Sequence, residues 1–275
     1  MAVAVADRSP GSEHGRIRLA APADRALAEL TAPTLLTEAE EIGWVDDDVR
    51  ARRVRRLGAI VLAEHRLDDP DPDAVAAALL AGLRAEGSGL LHWTETARRR
   101  RDRLATLHRA LGPPWPDVSD AALLDASELW WHGPFTRART RADLARIDAA
   151  PVLSAVLDPR LAGRLAELAP ERIEVPSGSR ITLDYSGERP VLAVRVQEVF
   201  GWTAGPTIAD GRIPVVLHLL SPAGRPAAIT TDLPSFWATG YPQVRAELRG
   251  RYPKHAWPTD PRHAEPTRRT RRADH

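Results

Sequence analysis

Hydrophobic and polar positions change period twice along this chain. Up to residue 67 they alternate. Arg16–Ala20 reads Arg, Ile, Arg, Leu, Ala, and Val49–Arg55 sets arginines against Val and Ala. A period of two bounded by turn residues marks half-buried antiparallel strands. Asp46-Asp47-Asp48 supplies one turn and Gly58 another. Glu41–Val45, Val49–Arg55 and Ala59–Ala63 are therefore expected to be strands, with Ala2–Ala6 a further short one.

After the punctuation Leu67–Pro72 the period becomes helical. Asp71 can cap, Pro72 suits a first helical position, and Val75, Leu79, Leu80 and Leu83 share a face before Gly87. Thr94 opens a second helix, with Ala97, Leu104, Leu107 and Leu111 inward and Gly112-Pro113-Pro114 as its stop. Its run Arg98–Arg101 reads as a solvated face with Glu95 and Asp102 nearby, or as a phosphate-binding face. Ser119 is expected to cap a third helix carrying Leu123, Leu124, Trp130 and Trp131. Thr140-Arg-Ala-Asp143 fits a capping box, and Leu161, Leu165 and Leu168 mark one more helix. Trp93, Trp115, Trp130 and Trp131 read as core pillars.

From Arg172 the period returns to two. Ile173 and Val175 alternate, as do Ile181, Leu183 and Tyr185, with Ser186-Gly187 as a turn. Val191–Val194 continues as strand, and Arg195–Phe200 fits a helical turn. Val215–Leu220 and Ala227–Thr230 are hairpin partners across Ser221–Gly224, and Pro242 opens a helix with Val244 and Leu248 inward. The tail from Tyr252, rich in proline and arginine, is expected to be extended and to lie on the surface. The fold class is α+β. Its expected parts are a β segment over 1–67, a helical segment over 68–140 and a C-terminal α+β domain over 141–275.

Composition narrows the chemistry. The chain has 275 residues, no cysteine, 43% hydrophobic residues and a net charge of +1. Disulfide and thiolate chemistry are excluded, the chain suits a reducing cytoplasmic compartment, and no apolar run is long enough to span a membrane. A near-neutral chain exerts no global pull on nucleic acid, so any basic site must be local.

Five motifs lie in order within the last third: Pro176-Ser-Gly-Ser-Arg-Ile181, Val196-Gln-Glu-Val-Phe-Gly201, Leu220-Ser-Pro-Ala-Gly-Arg-Pro226, Gly250-Arg-Tyr-Pro-Lys-His255 with Trp257-Pro258, and Pro266-Thr-Arg-Arg-Thr270. This region resembles the C-terminal part of HrpB-type bacterial ATP-dependent helicases, which are DEAH-type RNA helicases. The resemblance implies that residues 1–67 are part of an OB-like β domain and that the chain starts inside it, as a truncated reading frame would. It also implies partners: the helicase motor domains, in cis or in trans, and single-stranded RNA. ATP and magnesium would bind those motor domains.

Catalytic sets are missing from the sequence. A P-loop needs Gly-x-x-x-x-Gly-Lys-Ser/Thr, but the single lysine, Lys254, sits in Arg-Tyr-Pro-Lys-His. No Asp-Glu-Ala-His run, Gly-x-Ser-x-Gly elbow or His-Glu-x-x-His helix appears. No ATPase or helicase activity and no cofactor are expected of this chain by itself.

The candidate contact residues are therefore basic and aromatic. Arg52 and Arg53, with Arg50, Arg55 and Arg56, form either one nucleic-acid-tracking strand face or a solvated hairpin face opposite Asp46–Asp48. Lys254, His255, Trp257, Arg268, Arg269 and Arg271, with Arg180, can pair phosphates and stack bases. Equally, they can form a docking tail whose arginines bond carboxylates or carbonyls of the motor domains. His255, Asp260, His263 and Glu265 could also be read as a metal or acid–base cluster.

Overall fold

The computed structural model describes residues 2–7, 16–22 and 24–268. In chain order the strands are β1 (Ala2–Asp7), β2 (Arg16–Pro22), β3 (Leu36–Val45), β4 (Asp48–Leu57), β5 (Ile60–Arg66), β6 (Arg172–Glu174), β7 (Arg180–Asp184), β8 (Val191–Arg195), β9 (Thr207–Ile208), β10 (Ile213–Pro214), β11 (Val216–Leu220) and β12 (Pro226–Thr230). The helices are α1 (Arg25–Thr31), α2 (Pro72–Glu86), α3 (Glu95–Leu111), α4 (Asp120–Asp125), α5 (Pro134–Arg137), α6 (Arg141–Leu144), α7 (Ala150–Val156), α8 (Pro159–Leu168), α9 (Leu233–Ser235) and α10 (Tyr241–Arg251). The chain is thus mixed α and β.

Two compact units form, Met1–Leu90 with His132–Arg146, and Leu91–Trp131 with Ile147–His275. This division cuts across the expected boundaries at 67 and 140. The helical segment is shared out, because α2 packs on β3 and β4 while α3 packs on α7 and α8.

In the first unit β3, β4 and β5 make an antiparallel meander, and β1 pairs with β2 in a separate ladder. The Asp46–Asp47 turn adopts positive φ at both residues, as a tight two-residue hairpin requires. Helix α2 seats against the meander through Gly82. A β-carbon there would lie 2.3 Å from Trp44 Cδ2, so only glycine lets the indole lie this close. Trp44 Nε1 also donates to Glu86 at 3.1 Å. The predicted caps hold: Asp71 accepts from Asp73 N, and Thr140 and Asp143 form a reciprocal capping box.

In the second unit a five-stranded sheet has the order β12-β11-β8-β7-β6, with only β11 and β8 parallel. Its buried layer includes Leu183, Leu192, Val194, Leu217 and Leu219. Phe200, Phe236, Trp237 and Tyr241 form a cluster of tilted and edge-on rings beside it, with centroids 5.1–6.4 Å apart. Thr94 caps α3 and Ser119 caps α4, as their positions predict.

The helix opened by Ser119 ends at Asp125 instead of reaching Trp131. Trp130 folds back, its Nε1 donating to the Leu123 carbonyl at 2.8 Å, which a continuous helix would not allow. Trp93, Trp115 and Trp130 are buried, and Trp131 is half-buried. Arg195–Phe200 holds only a short 3-10 turn, Val196–Val199. The tail after α10 has no regular element but does not simply lie on the surface, since Pro261 is buried and its carbonyl accepts from Gly201 N at 3.0 Å.

Candidate functional site

Consecutive residues of a strand face opposite ways, so Arg52 and Arg53 do not share a face. Each meets carboxylates on its own side. Arg52 bonds Glu41 at 2.9 Å and Glu64 at 3.0 Å, while Arg53 bonds Glu40 at 2.8 Å. Arg56 reaches Glu41 at 2.7 Å, Arg55 reaches Glu29 at 2.8 Å, and Arg50 reaches Asp46 at 3.0 Å. The expected one-faced basic strand is therefore a charge ladder. The glutamates of β3 and β5 are its main partners, and Asp46 serves only Arg50. The bond to Arg56, with that to Arg52, holds the Glu41 carboxyl below the usual carboxylate range. A phosphate would have to displace these pairs.

The C-terminal motifs converge. Pro176–Arg180 turns between β6 and β7, with Gly178 at φ +75° and its amide on the Val175 carbonyl at 2.7 Å. Ser177 Oγ donates to Glu198 Oε2 at 2.9 Å, and Ser179 Oγ donates to the same oxygen. The Ser177 amide donates to the Glu198 carbonyl at 3.2 Å. Glu198 is only 5% exposed, and its other oxygen lies 3.9 Å from Arg195 Nη1. This buried carboxylate ties the Ser-Gly-Ser turn to the Val196–Val199 turn.

The tail closes over the same place. Thr267 N donates to the Gln197 carbonyl at 3.0 Å, and Arg268 Nε donates to the Ser177 carbonyl at 3.0 Å. Arg268 Nη2 lies 3.0 Å from where a β-carbon on Gly178 would stand. Three of the five motifs thus meet in one polar node. Arg268 does bond a carbonyl, as a docking tail would, but the carbonyl belongs to its own unit. Arg269 and Arg271 lie outside the described residues.

The other candidates divide. Trp257 is half-buried and committed: its Nε1 donates to the Tyr252 carbonyl at 3.0 Å, and its carbonyl accepts from Arg245 Nε at 2.9 Å. His255 is half-buried, edge-on to Tyr252 at 6.2 Å, and burial together with nearby Arg195 lowers its pKa. Lys254 is exposed, with no bond to a carboxylate among the described residues. Arg180 is also exposed, with Glu174 no closer than 3.9 Å. His263 pairs with Asp260 at 2.7 Å, and no group of three potential metal ligands forms among the described residues.

Sequence reading missed Glu198, Ser177 and Ser179 as a unit, and it missed Arg103. That guanidinium is 6% exposed and donates to the carbonyls of Ala169 at 2.6 Å and Leu165 at 3.2 Å, while pairing with Glu171 at 2.8 Å. Its place among the inward positions of α3 was the available signal: Arg103, Leu104 and Leu107 are all buried.

The chain matches one class of protein: the family model described as ATP-dependent helicase C-terminal covers residues 130–261. The ATP-dependent RNA helicase HrpB of Escherichia coli (strain K12) is 39% identical over 265 residues, which is 95% of this chain and 33% of that protein. A crystal structure of the E. coli DExH-box NTPase HrpB aligns with TM-score 0.68 and 37% identity, covering 98% of this chain and 34% of that one. A second, of the E. coli DEAH/RHA helicase HrpB, aligns with TM-score 0.60 and 38% identity, covering 81% and 29%. These matches place the chain with the C-terminal region of HrpB-type helicases. It spans about a third of the length of the relatives it matches.

Proposed function

We propose that this chain is a non-catalytic accessory region of an ATP-dependent RNA helicase. In this reading it positions single-stranded nucleic acid and braces the motor domains, which would bind ATP and magnesium. The first unit would be the OB-like portion, and the whole would act in the cytoplasm. Among the described residues no helix is long and apolar enough to cross a membrane.

One observation carries the reading. The arginines of β4 are matched by carboxylates, whereas Arg249 and Arg251 at the end of α10, and Lys254 just beyond it, make no bond to a carboxylate among the described residues. Unmatched cations are the groups that can take up phosphate and release counterions. In this reading these cations of the C-terminal unit are the groups offered to nucleic acid.

A second reading, a protein-interaction module separate from a motor, draws on the exposed Leu27, Leu30, Leu35, Ile60 and Val61 of the first unit. The test is binding of labelled single-stranded RNA by wild type and by Arg249→Gln/Arg251→Gln/Lys254→Gln. Weaker binding with a shallower salt dependence in the variant supports the nucleic-acid reading. Equal binding by both removes the α10 cations from it, and no binding by either favours the interaction module.

A further inference from the structure

A cleft of about 490 Å³ opens within the C-terminal unit, lined on one side by the N-terminal half of α3 and on the other by β6, β7 and their flanks. Most of its charges are already matched. Glu95 holds Arg99 at 3.0 Å, Glu171 holds Arg103 at 2.8 Å, and Asp184 accepts the Ser186 amide at 2.9 Å in the field of Arg99.

Arg98 and Arg172 differ from these. Both line the cleft, both are exposed, and neither bonds a carboxylate or a carbonyl among the described residues. Arg98 comes from α3 and Arg172 from β6, so the two cations stand on different walls. Asp102 is the one carboxyl of the cleft without a hydrogen bond among the described residues. Burial is the main cause that pushes its pKa up. The volume falls within the range of pockets that enclose small ligands, and a guanidinium grips phosphate oxygens in a bidentate fork.

We propose that this cleft is a phosphodiester-binding site for single-stranded nucleic acid, in which Arg98 and Arg172 each take a backbone phosphate. The proposal rests on the nucleic-acid reading above and names where the strand enters. Thr182 and Ser186 also line the cleft and carry hydroxyl groups.

The experiment uses the full chain, a labelled oligouridylate and the matching oligodeoxythymidylate over a salt series, with Arg98→Gln/Arg172→Gln and the single Arg172→Gln beside wild type. The double variant is expected to weaken binding about tenfold and to lower the slope of log affinity against log salt by about 1.4, two phosphates at about 0.7 each. Because the site reads the backbone, both oligonucleotides should show the loss. Crosslinking of a 4-thiouridine oligonucleotide should label peptides spanning 95–103 or 171–186, an independent readout on unmutated protein. Wild-type binding that survives the double variant, or crosslinks confined elsewhere, overturns this site but leaves the accessory role standing. Failure of wild-type protein to bind either strand overturns both.

Discussion

Ser177 and Glu198 are bonded twice, amide to carbonyl at 3.2 Å and hydroxyl to carboxylate at 2.9 Å. The pair locks two turns whose sequences are 21 residues apart, and the tail then closes over it through Arg268. Removing the carboxylate strands two half-buried hydroxyls. Glu198→Ala should therefore destabilise the C-terminal unit by about 2–4 kcal/mol, a lost charged hydrogen bond plus the desolvation of its partners. Glu198→Gln, which keeps an acceptor, should lose less. Denaturant unfolding of both variants checks the order.

Among the described residues Arg103 is the other buried charge. Arg103→Met leaves the Ala169 and Leu165 carbonyls without its bonds and Glu171 without its partner. A loss of about 2–4 kcal/mol is expected from carbonyls left short of a donor, since Glu171 itself is largely exposed. Arg103→Lys should restore only part of it, because one ammonium cannot reproduce the planar fork. Equilibrium unfolding in urea distinguishes the two.

Gly82→Ala sets helix propensity against packing. Alanine inside a helix gains about 1 kcal/mol over glycine. Its β-carbon would meet Trp44 ring atoms at 2.3–2.6 Å, so the indole must move away from Glu86. Overpacking of this kind costs about 1–3 kcal/mol, and a net loss is expected. Thermal unfolding followed by circular dichroism reads it.

His255 gives the stability a pH dependence. Burial, aided by Arg195, lowers its pKa below the usual 6.5. The unfolded chain then takes up a proton before the folded one does. The associated stability is fully present above pH 6.5 and is lost as pH falls through that value toward the lower folded pKa. His255→Gln should flatten the decline below pH 6.5, measured by denaturant midpoints at successive pH values.

Features coded by neighbouring residues were legible in the sequence. Asp71 and Gly87 bound α2, Thr94 and Gly112 bound α3, and Thr140 with Asp143 makes its capping box, each from signals within a few positions. Features coded by distant pairs were not. The Glu38–Glu41 run stands opposite Arg52–Arg55 only once the hairpin register is set, with Glu41 facing Arg52 and Glu40 facing Arg53. Likewise Glu198 reads as a surface residue until the sheet brings Ser177 and Ser179 onto it. The five motifs marked the right region, yet composition could not tell a residue that builds the node from one that faces outward.

One binding series decides whether this region grips nucleic acid through its C-terminal unit or through the β4 arginines. The affinity of the full chain for labelled single-stranded RNA would be measured across salt concentrations, with Arg52→Gln/Arg53→Gln as the comparison. Measurable affinity that falls steeply with salt is expected, and it should stay within about twofold in the variant, since those guanidiniums contribute few of the phosphate contacts that set the slope. Binding abolished by that variant, or absent from a chain that unfolds cooperatively, would contradict that expectation.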